Sequence, residues 1–210
     1  AFLDMFGDPV TNPKGWEVKP LGAFFELKHG FAFKSEKFVD NGEYMLLTPG
    51  NFFEKGGFRD RGQKQKFYDP PVPSEYVLQK GDLLIAMTEQ APGLLGSPIL
   101  IPELGKFLHN QRLGKVFKLK EIESIYIFSL MNTRSIRARI QHDSTGTKVK
   151  HTSPKKIEAI EVGIPPIELQ RRYAMLATTC WQITIDQGRQ ASEFQDLFNA
   201  LVQRAFRGEL

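Results

Sequence analysis

Three stretches of the chain carry the residue types that contact phosphates. Residues 28–35, Lys28-His29-Gly30-Phe31-Ala32-Phe33-Lys34-Ser35, interleave cations, aromatics and a hydroxyl. Residues 144–153, Ser144-Thr145-Gly146-Thr147-Lys148-Val149-Lys150-His151-Thr152-Ser153, are richer still in small donors and positive charge, and Arg59, Arg61, Lys64 and Lys66 form a third basic stretch. Phosphate oxygens accept hydrogen bonds from hydroxyls, lysines and loop amides, whereas Arg, Gln and Asn read base edges. Gln90, Asn110, Gln111 and Arg112 supply that second kind. The candidate nucleic-acid contacts are Lys34, Ser35, Arg59, Arg61, Lys64, Gln90, Arg112, Thr147, Lys148, Lys150 and His151. The competing reading is ordinary polar surface, with Phe31 and Phe33 as core or hinge residues and Gln90 and Arg112 in polar structural roles.

Motifs for catalysis are missing. Gly105-Lys106 and Gly114-Lys115 lack the upstream glycine and the following hydroxyl of a phosphate loop, and neither His-Glu-x-x-His nor Gly-x-Ser-x-Gly occurs. His29, His109, His142 and His151 are scattered, and Cys180 is the only cysteine, so no metal-ligand spacing arises. Glycine-rich motifs for a methyl-donor or dinucleotide cofactor are also lacking. Glu26-Leu27-Lys28 matches the Glu-x-Lys half of a nuclease site, a tripeptide that arises readily by chance. The chain reads as a binder, with a nuclease using Glu26 and Lys28 as one rival and a DNA-independent coiled-coil assembly protein as another.

The charge pattern sharpens the binding reading. The net charge of +4 conceals alternating segments. Lys and Arg stand 2 against 4 acids in residues 1–27, 8 against 5 in 28–66, 1 against 5 in 67–103, 12 against 5 in 104–161, and 5 against 5 thereafter. A mild overall excess permits nucleic acid as a partner without requiring it. At 210 residues with 41% hydrophobic content, the chain can bury a core without staples. One cysteine offers no internal disulfide, so a reducing cytoplasm is the expected location. No apolar run approaches the ~18 residues of a membrane span. Asp4 and Asp8 stand where a signal peptide would be basic, and the opening on Ala1 leads us to expect a piece of something longer.

Two unlike parts must position these residues. From residue 16 to 164, short apolar runs such as Tyr44-Met45-Leu46-Leu47, Asp82-Leu83-Leu84-Ile85-Ala86 and Lys115-Val116-Phe117-Lys118-Leu119 alternate with turn signals, which predicts strands of a mixed sheet. Residues 122–140 read as a helix. After Pro165-Pro166, residues 167–206 contain no proline and one glycine, Gly188, and read as one long helix. Leu169, Tyr173, Leu176, Cys180, Ile183, Gln187, Gln190, Phe194, Leu197 and Leu201 follow alternating steps of four and three, a coiled-coil seam. At ~1.5 Å per residue such a helix spans ~60 Å, longer than its own domain is wide, so it calls for a partner helix. Gln187 and Gln190 either fix register in that seam or mark an exposed or bent stretch. The fold class is therefore α+β, with a long C-terminal coiled-coil helix.

The run from Gly146-Thr147-Lys148-Val149-Lys150-His151-Thr152-Ser153-Pro154-Lys155-Lys156-Ile157 into Val162-Gly163-Ile164-Pro165-Pro166-Ile167-Glu168-Leu169-Gln170 resembles the signature of the DNA specificity subunits of type I restriction-modification systems. Phe6-Gly7-Asp8-Pro9, Asn12-Pro13-Lys14-Gly15-Trp16, Gly30-Phe31-Ala32-Phe33-Lys34-Ser35, Lys80-Gly81-Asp82-Leu83-Leu84-Ile85 and Leu201-Val202-Gln203-Arg204-Ala205-Phe206-Arg207-Gly208 extend the likeness over nearly the whole chain. The resemblance implies a target recognition domain at 16–164 and a conserved spacer helix at 165–210, behind a segment at 1–15 that is similar to the end of a preceding spacer helix. It implies a non-catalytic subunit that reads half of a bipartite double-stranded DNA target. It would dock methyltransferase and restriction subunits, which would bring S-adenosylmethionine, ATP and magnesium. The seam residues Leu169, Tyr173, Leu176, Ile183, Phe194, Leu197 and Leu201 would then join two copies, or two specificity halves. Such subunits usually carry two recognition domains and two spacers, whereas this chain has one of each, as a half-length subunit that dimerises or a fragment of a tandem would. The recognition half of a type II methyltransferase-nuclease system is the alternative within the same chemistry.

Overall fold

A computed structural model describes residues 1–69, 71–89, 92–102 and 106–183. Besides short 3-10 turns, the described elements in chain order are α1 (Phe2–Phe6), β1 (Glu17–Pro20), β2 (Glu26–His29), β3 (Phe38–Val39), β4 (Tyr44–Leu46), β5 (Phe67–Tyr68), β6 (Val77–Leu78), β7 (Leu83–Ala86) and β8 (Thr88–Glu89). There follow β9 (Pro98–Leu100), β10 (Lys106–Leu108), β11 (Leu113–Phe117), α2 (Ser124–Met131), α3 (Arg134–His142), β12 (Lys150–His151), α4 (Pro154–Glu158) and β13 (Glu161–Ile164). Residues 167–183 form a further helix, α5. The chain divides into two compact units, residues 1–170 and 171–210.

The first unit is built on an antiparallel sheet ordered β2-β11-β7-β9. All four residues of β7 are buried, because a continuous apolar run cannot present one face to water and so takes a central, doubly covered position. A second, mixed sheet, β3-β5-β4-β10-β6, pairs β4 with β10 in parallel and the rest antiparallel. Leu47, Phe52, Leu84, Ile99, Phe107 and Leu113 form one core cluster, while Phe33, Leu46, Tyr68 and Leu108 form another. Phe33 is thus a core residue, and Phe31, 38% exposed, stacks edge-on against it at 5.0 Å between centroids.

The single helix expected over 122–140 is two. Thr133 adopts an extended backbone (φ −69°, ψ 146°), and its hydroxyl donates to the Leu130 carbonyl at 2.8 Å. A side chain that satisfies its own upstream backbone competes with helix continuation, so α2 ends and α3 restarts at a new angle. Strand β11 also begins two residues earlier than its apolar run suggests and stops at Phe117, because Lys118 takes a left-handed conformation (φ 51°).

The ends of the unit are closed by β1 pairing antiparallel with β13, Val18 opposite Gly163. Asn12 grips Trp16 from both sides, its Nδ2 donating to the Trp16 carbonyl at 2.7 Å and its Oδ1 accepting the Trp16 N–H at 2.9 Å. Phe2, Phe6 and Tyr126 stack within 5.1–5.3 Å of one another, which ties α1 onto α2. Ser153 caps α4 by accepting the Lys156 N–H, and Pro154 occupies the first turn where a missing N–H costs nothing. Gln170 is fully buried: its Nε2 donates to the Pro165 carbonyl at 2.8 Å and its Oε1 accepts the Glu123 N–H at 3.1 Å. The Pro-Pro-x-x-x-Gln element therefore clamps the start of α5 to the entry of α2.

In the second unit the described residues, 171–183, are helical. Tyr173 is buried, whereas Leu176 and Ile183 of the expected seam are more than half exposed, as is Met175. Leu169, in the first unit, is half-buried. Phe194, Leu197, Leu201, Gln187 and Gln190 lie outside the described residues. No helix among the described residues is long and apolar enough to cross a membrane.

Two measurements check this packing. Replacing Gln170 with Leu leaves a buried N–H and a buried carbonyl without partners and is expected to lower stability by about 1–3 kcal/mol, read by chemical denaturation. His109, at 2% exposure, is pushed down to about 4 by burial, against an opposing hydrogen bond at 3.0 Å to the Leu113 carbonyl. The unfolded chain therefore binds this proton more readily, so stability is intact above the ordinary histidine value of 6.5 and falls as pH drops toward 4. Thermal melts are expected to show a decline between pH 7 and 5 that His109→Gln largely removes.

Candidate nucleic-acid interface

Glu89 and residues 92–95 line the clefts that the basic groups share. Glu89 ends β8, is 4% exposed, and its Oε2 accepts three backbone N–H groups, from Gly93 at 3.0 Å, Leu94 at 3.0 Å and Leu95 at 2.8 Å. Opposite, β12 pairs antiparallel with β8, Lys150 facing Glu89 and His151 facing Thr88. The Thr152 N–H extends this contact to the Met87 carbonyl at 3.0 Å. Arg137 on α3 donates from Nη2 to the Gly93 carbonyl and, at 3.3 Å, to the Glu54 carbonyl, while its Nη1 is buried without a partner. Burial pulls the Arg137 pKa below the usual arginine value, and the charges of Glu89 and Glu54 oppose that shift.

Three clefts border this loop. Arg61 and Arg112 line one of about 340 Å³ with Thr48 and Thr88. A second, about 580 Å³, is lined by Phe53, Lys55, Arg59 and Pro92, and a third, about 330 Å³, by Arg134, Arg137 and Gln141. The segment that carries Arg59, Arg61 and Lys64 is held by a buried polar pair: Asn51 Nδ2 donates to Gln65 Oε1 at 2.6 Å, and Gln65 Nε2 donates to the Leu46 and Lys66 carbonyls at 3.1 Å. Buried amides of this kind must be paired, so Asn51 and Gln65 fix where the segment runs.

The loop before β12 is closed by a bridge between Thr145 and His151, with N–H···O distances of 3.0 and 2.8 Å. Gly146, at φ +98°, lies so close to the Val149 carbonyl that any Cβ would collide with it. The tight turn this permits leaves Thr147 and Lys148 exposed at the tip, with Lys150 half-buried and His151 exposed at its base.

Elsewhere on the surface, several lysines are tied to acids. Lys28 pairs with Glu75 at 3.2 Å, Lys66 with Asp40 at 2.5 Å, Lys115 with Asp82 at 2.6 Å and Lys118 with Glu26 at 3.1 Å; Lys106 also pairs with Glu43. Among the described residues, no ion pair involves Lys55, Arg59, Arg61, Lys64, Arg112, Arg134, Lys148 or Lys150. These cations are therefore not neutralised by a direct ion pair, although Glu54 and Glu89 also line the clefts.

The structure gathers Arg59, Arg61, Arg112, Lys150 and His151 on the clefts and strands that border Glu89 and residues 92–95. Lys64 lies on the segment that Gln65 anchors, and Thr147 and Lys148 on the loop before β12. It does not bring Lys34 and Ser35 into any of these clefts; they begin an exposed 3-10 turn in which Lys34 approaches Glu36 at 4.0 Å. Gln90 lies outside the described residues. Glu26 and Lys28, the nuclease candidates, engage Lys118 and Glu75, and no group of three acidic, His or Cys residues able to hold a metal occurs among the described residues. Sequence reasoning missed Glu89, Arg137, Asn51 and Gln65. The one signal for Glu89 was an acidic residue two positions beyond the apolar run 83–87.

Comparison with known proteins then settles the family. The family model described as type I restriction modification DNA specificity domain matches residues 13–191. Among solved structures, the HsdS subunit from Thermoanaerobacter tengcongensis aligns with a TM-score of 0.56 at 19% identity, over 100% of this chain and 49% of that one. A chain from a structure on complex assembly and conformational transition of the type I R-M system aligns with a TM-score of 0.54 at 19% identity, over 94% of this chain and 47% of that one. The chain thus spans about half the length of the solved structures it matches, which share its fold. No curated protein matches the sequence. With more than four fifths of its residues under one family model, the chain belongs to the type I restriction modification DNA specificity domain family.

Proposed function

We propose that this chain is a DNA-reading part of a type I restriction-modification complex, taking one half of a bipartite double-stranded target and having no catalytic site of its own. The observation that carries this reading is the convergence of Lys55, Arg59, Arg61, Arg112 and Arg134, none of them in an ion pair among the described residues, on three clefts that share Glu89 and residues 92–95. Cations left without acidic partners attract a polyanion and release its counterions on binding. Loop-borne Lys148 and Lys150 suit phosphate contact, whereas arginines on shaped clefts suit base edges. In the working complex, acting in the cytoplasm, a methyltransferase subunit would bring S-adenosylmethionine and a restriction subunit ATP and magnesium.

The α5 region supports a second element of the proposal. One recognition domain specifies few base pairs, and each contributes ~1–3 kcal/mol of discrimination, so a second reader is needed for a rare site. Exposed Met175, Leu176 and Ile183 on one helix favour pairing through a coiled coil that continues over 165–210, either with a second copy or with another specificity half. A pair of such helices would hold two recognition domains, each spanning about 16–164, at a fixed separation.

Fluorescence anisotropy on duplex DNA tests the first element. Binding is expected to weaken steeply with salt, and Lys148→Ala and Lys150→Ala are each expected to lower affinity for all sequences and reduce the salt slope by about one. A change of sequence preference without a change of slope would reassign that loop to base reading. Light scattering at micromolar concentration tests the second element: a dimer is expected, converted to monomer by Leu176→Asp with Ile183→Asp, and a wild-type monomer would remove the helix as the self-association element.

A further inference from the structure

We infer that the cleft between Arg61 and Arg112 reads a guanine, with Arg112 donating to its O6/N7 edge in the major groove. The inference rests on the DNA-recognition reading above and names the base for one of its clefts.

Arg112 is exposed, and its guanidinium takes no ion pair or hydrogen bond among the described residues, yet its backbone is rigidly placed. Its N–H donates to Asn110 Oδ1 at 3.0 Å, and its carbonyl accepts the Met87 N–H at 3.0 Å. The same turn is bound to residues 30–31, with the Phe31 N–H on the His109 carbonyl at 2.9 Å and the Gln111 N–H on the Phe31 carbonyl at 3.0 Å. Gly30 allows this approach, since any Cβ there would collide with the His109 and Asn110 carbonyls. Arg61 supplies a second guanidinium to the cleft. It lies along Gly50, where an added Cβ would come within 3.1 Å of its Cζ and Nε, and its Nη1 reaches Thr48 Oγ1 at 3.5 Å.

Two guanidinia make this cleft rich in donors, so its ligand must offer adjacent acceptors. In the major groove only guanine presents two, O6 and N7, and the planar fork of arginine matches them. A backbone phosphate also accepts, but Glu89 is one of the residues lining the same cleft, and a negative charge nearby disfavours an anion more than a neutral base edge. A neutral guanine edge gains the same hydrogen bonds without facing that charge. Among the described residues, the cations of the loop before β12, Lys148 and Lys150, line none of the three clefts and are better placed to take phosphates.

Selection from a random duplex library by the full chain, with Arg112→Lys and Arg112→Ala beside the wild type, tests the assignment. The lysine variant keeps the charge and loses the fork. The wild type is expected to select a motif with a required guanine, and Arg112→Lys to relax that one position by about 5- to 150-fold while the salt slope and the other positions stay unchanged. Replacing that guanine with 7-deazaguanine, which lacks the N7 acceptor, is expected to weaken the wild type and leave Arg112→Lys unaffected. A motif retained by Arg112→Lys, with Arg112→Ala lowering affinity for every sequence and the salt slope by about one, would make Arg112 a phosphate contact and overturn the assignment. A wild-type motif without guanine would also overturn it. Absence of any salt-dependent DNA affinity in the wild type would instead overturn the DNA-recognition reading on which it rests.

Discussion

A buried carboxylate organises the proposed reading face. Glu89 follows a strand too apolar to carry any polar function, and it is placed where three consecutive backbone N–H groups turn toward one oxygen. Burying an unpaired carboxylate would be prohibitive, but charge-assisted bonds to amides are stronger than neutral ones and offset that cost. The favourable interaction between Glu89 and Arg137 adds to the balance, and Arg137 in turn binds the Gly93 and Glu54 carbonyls. One carboxylate thus fixes residues 93–95, and through Arg137 that loop is joined to α3 and to the Glu54 segment. Each of the three clefts has a wall on this assembly.

The electrostatics follow from which cations are spared. Exposed ion pairs contribute little stability, typically below ~1 kcal/mol, so the pairing of Lys28, Lys66 or Lys118 with acids matters less for folding than for neutralising the surface around them. Among the cations without an ion pair are side chains drawn from distant segments: Arg59 and Arg61, Arg112, Arg134, and Lys148 and Lys150. A formal charge of +4 averages over this arrangement, and the acidic stretch 67–103 contributes to it structurally, since Glu89, Asp82 and Glu75 all have internal partners.

Much of this was legible in the residues, and the division between what was and was not has a physical basis. Apolar runs revealed β4 and β7 because burial of a strand depends on local residue type. The loop before β12 was legible because Gly146 and its flanking hydroxyls and lysines lie side by side in the chain. By contrast, the helix break at Thr133 depends on whether a hydroxyl turns to its own backbone, which composition does not specify. Asn51 with Gln65, and Glu89 with Arg137, are pairs separated by 14 and 48 positions, and nothing in either segment alone announces the other. That Lys34 and Ser35 lie apart from the three clefts was illegible for the same reason: a basic, aromatic stretch looks alike whether its aromatics face a ligand or, as with Phe33, fill a core.

The placement of the polar chemistry also explains how such a domain can change what it reads without changing its fold. Within the sheet β2-β11-β7-β9, β7 has no exposed residue, which leaves its faces no room for recognition. The chemistry is pushed to strand ends: Thr88 and Glu89 lie beyond β7, Arg112 immediately before β11, and Lys148 at the tip of the loop leading into β12. These side chains are anchored by backbone bonds at Asn110, Met87 and His151 that do not depend on their own identity. Exchanging Arg112 for another residue removes no core contact and no backbone hydrogen bond. Specificity and stability are therefore carried by different atoms of the same loops, with Glu89 and Arg137 as the points where the two meet.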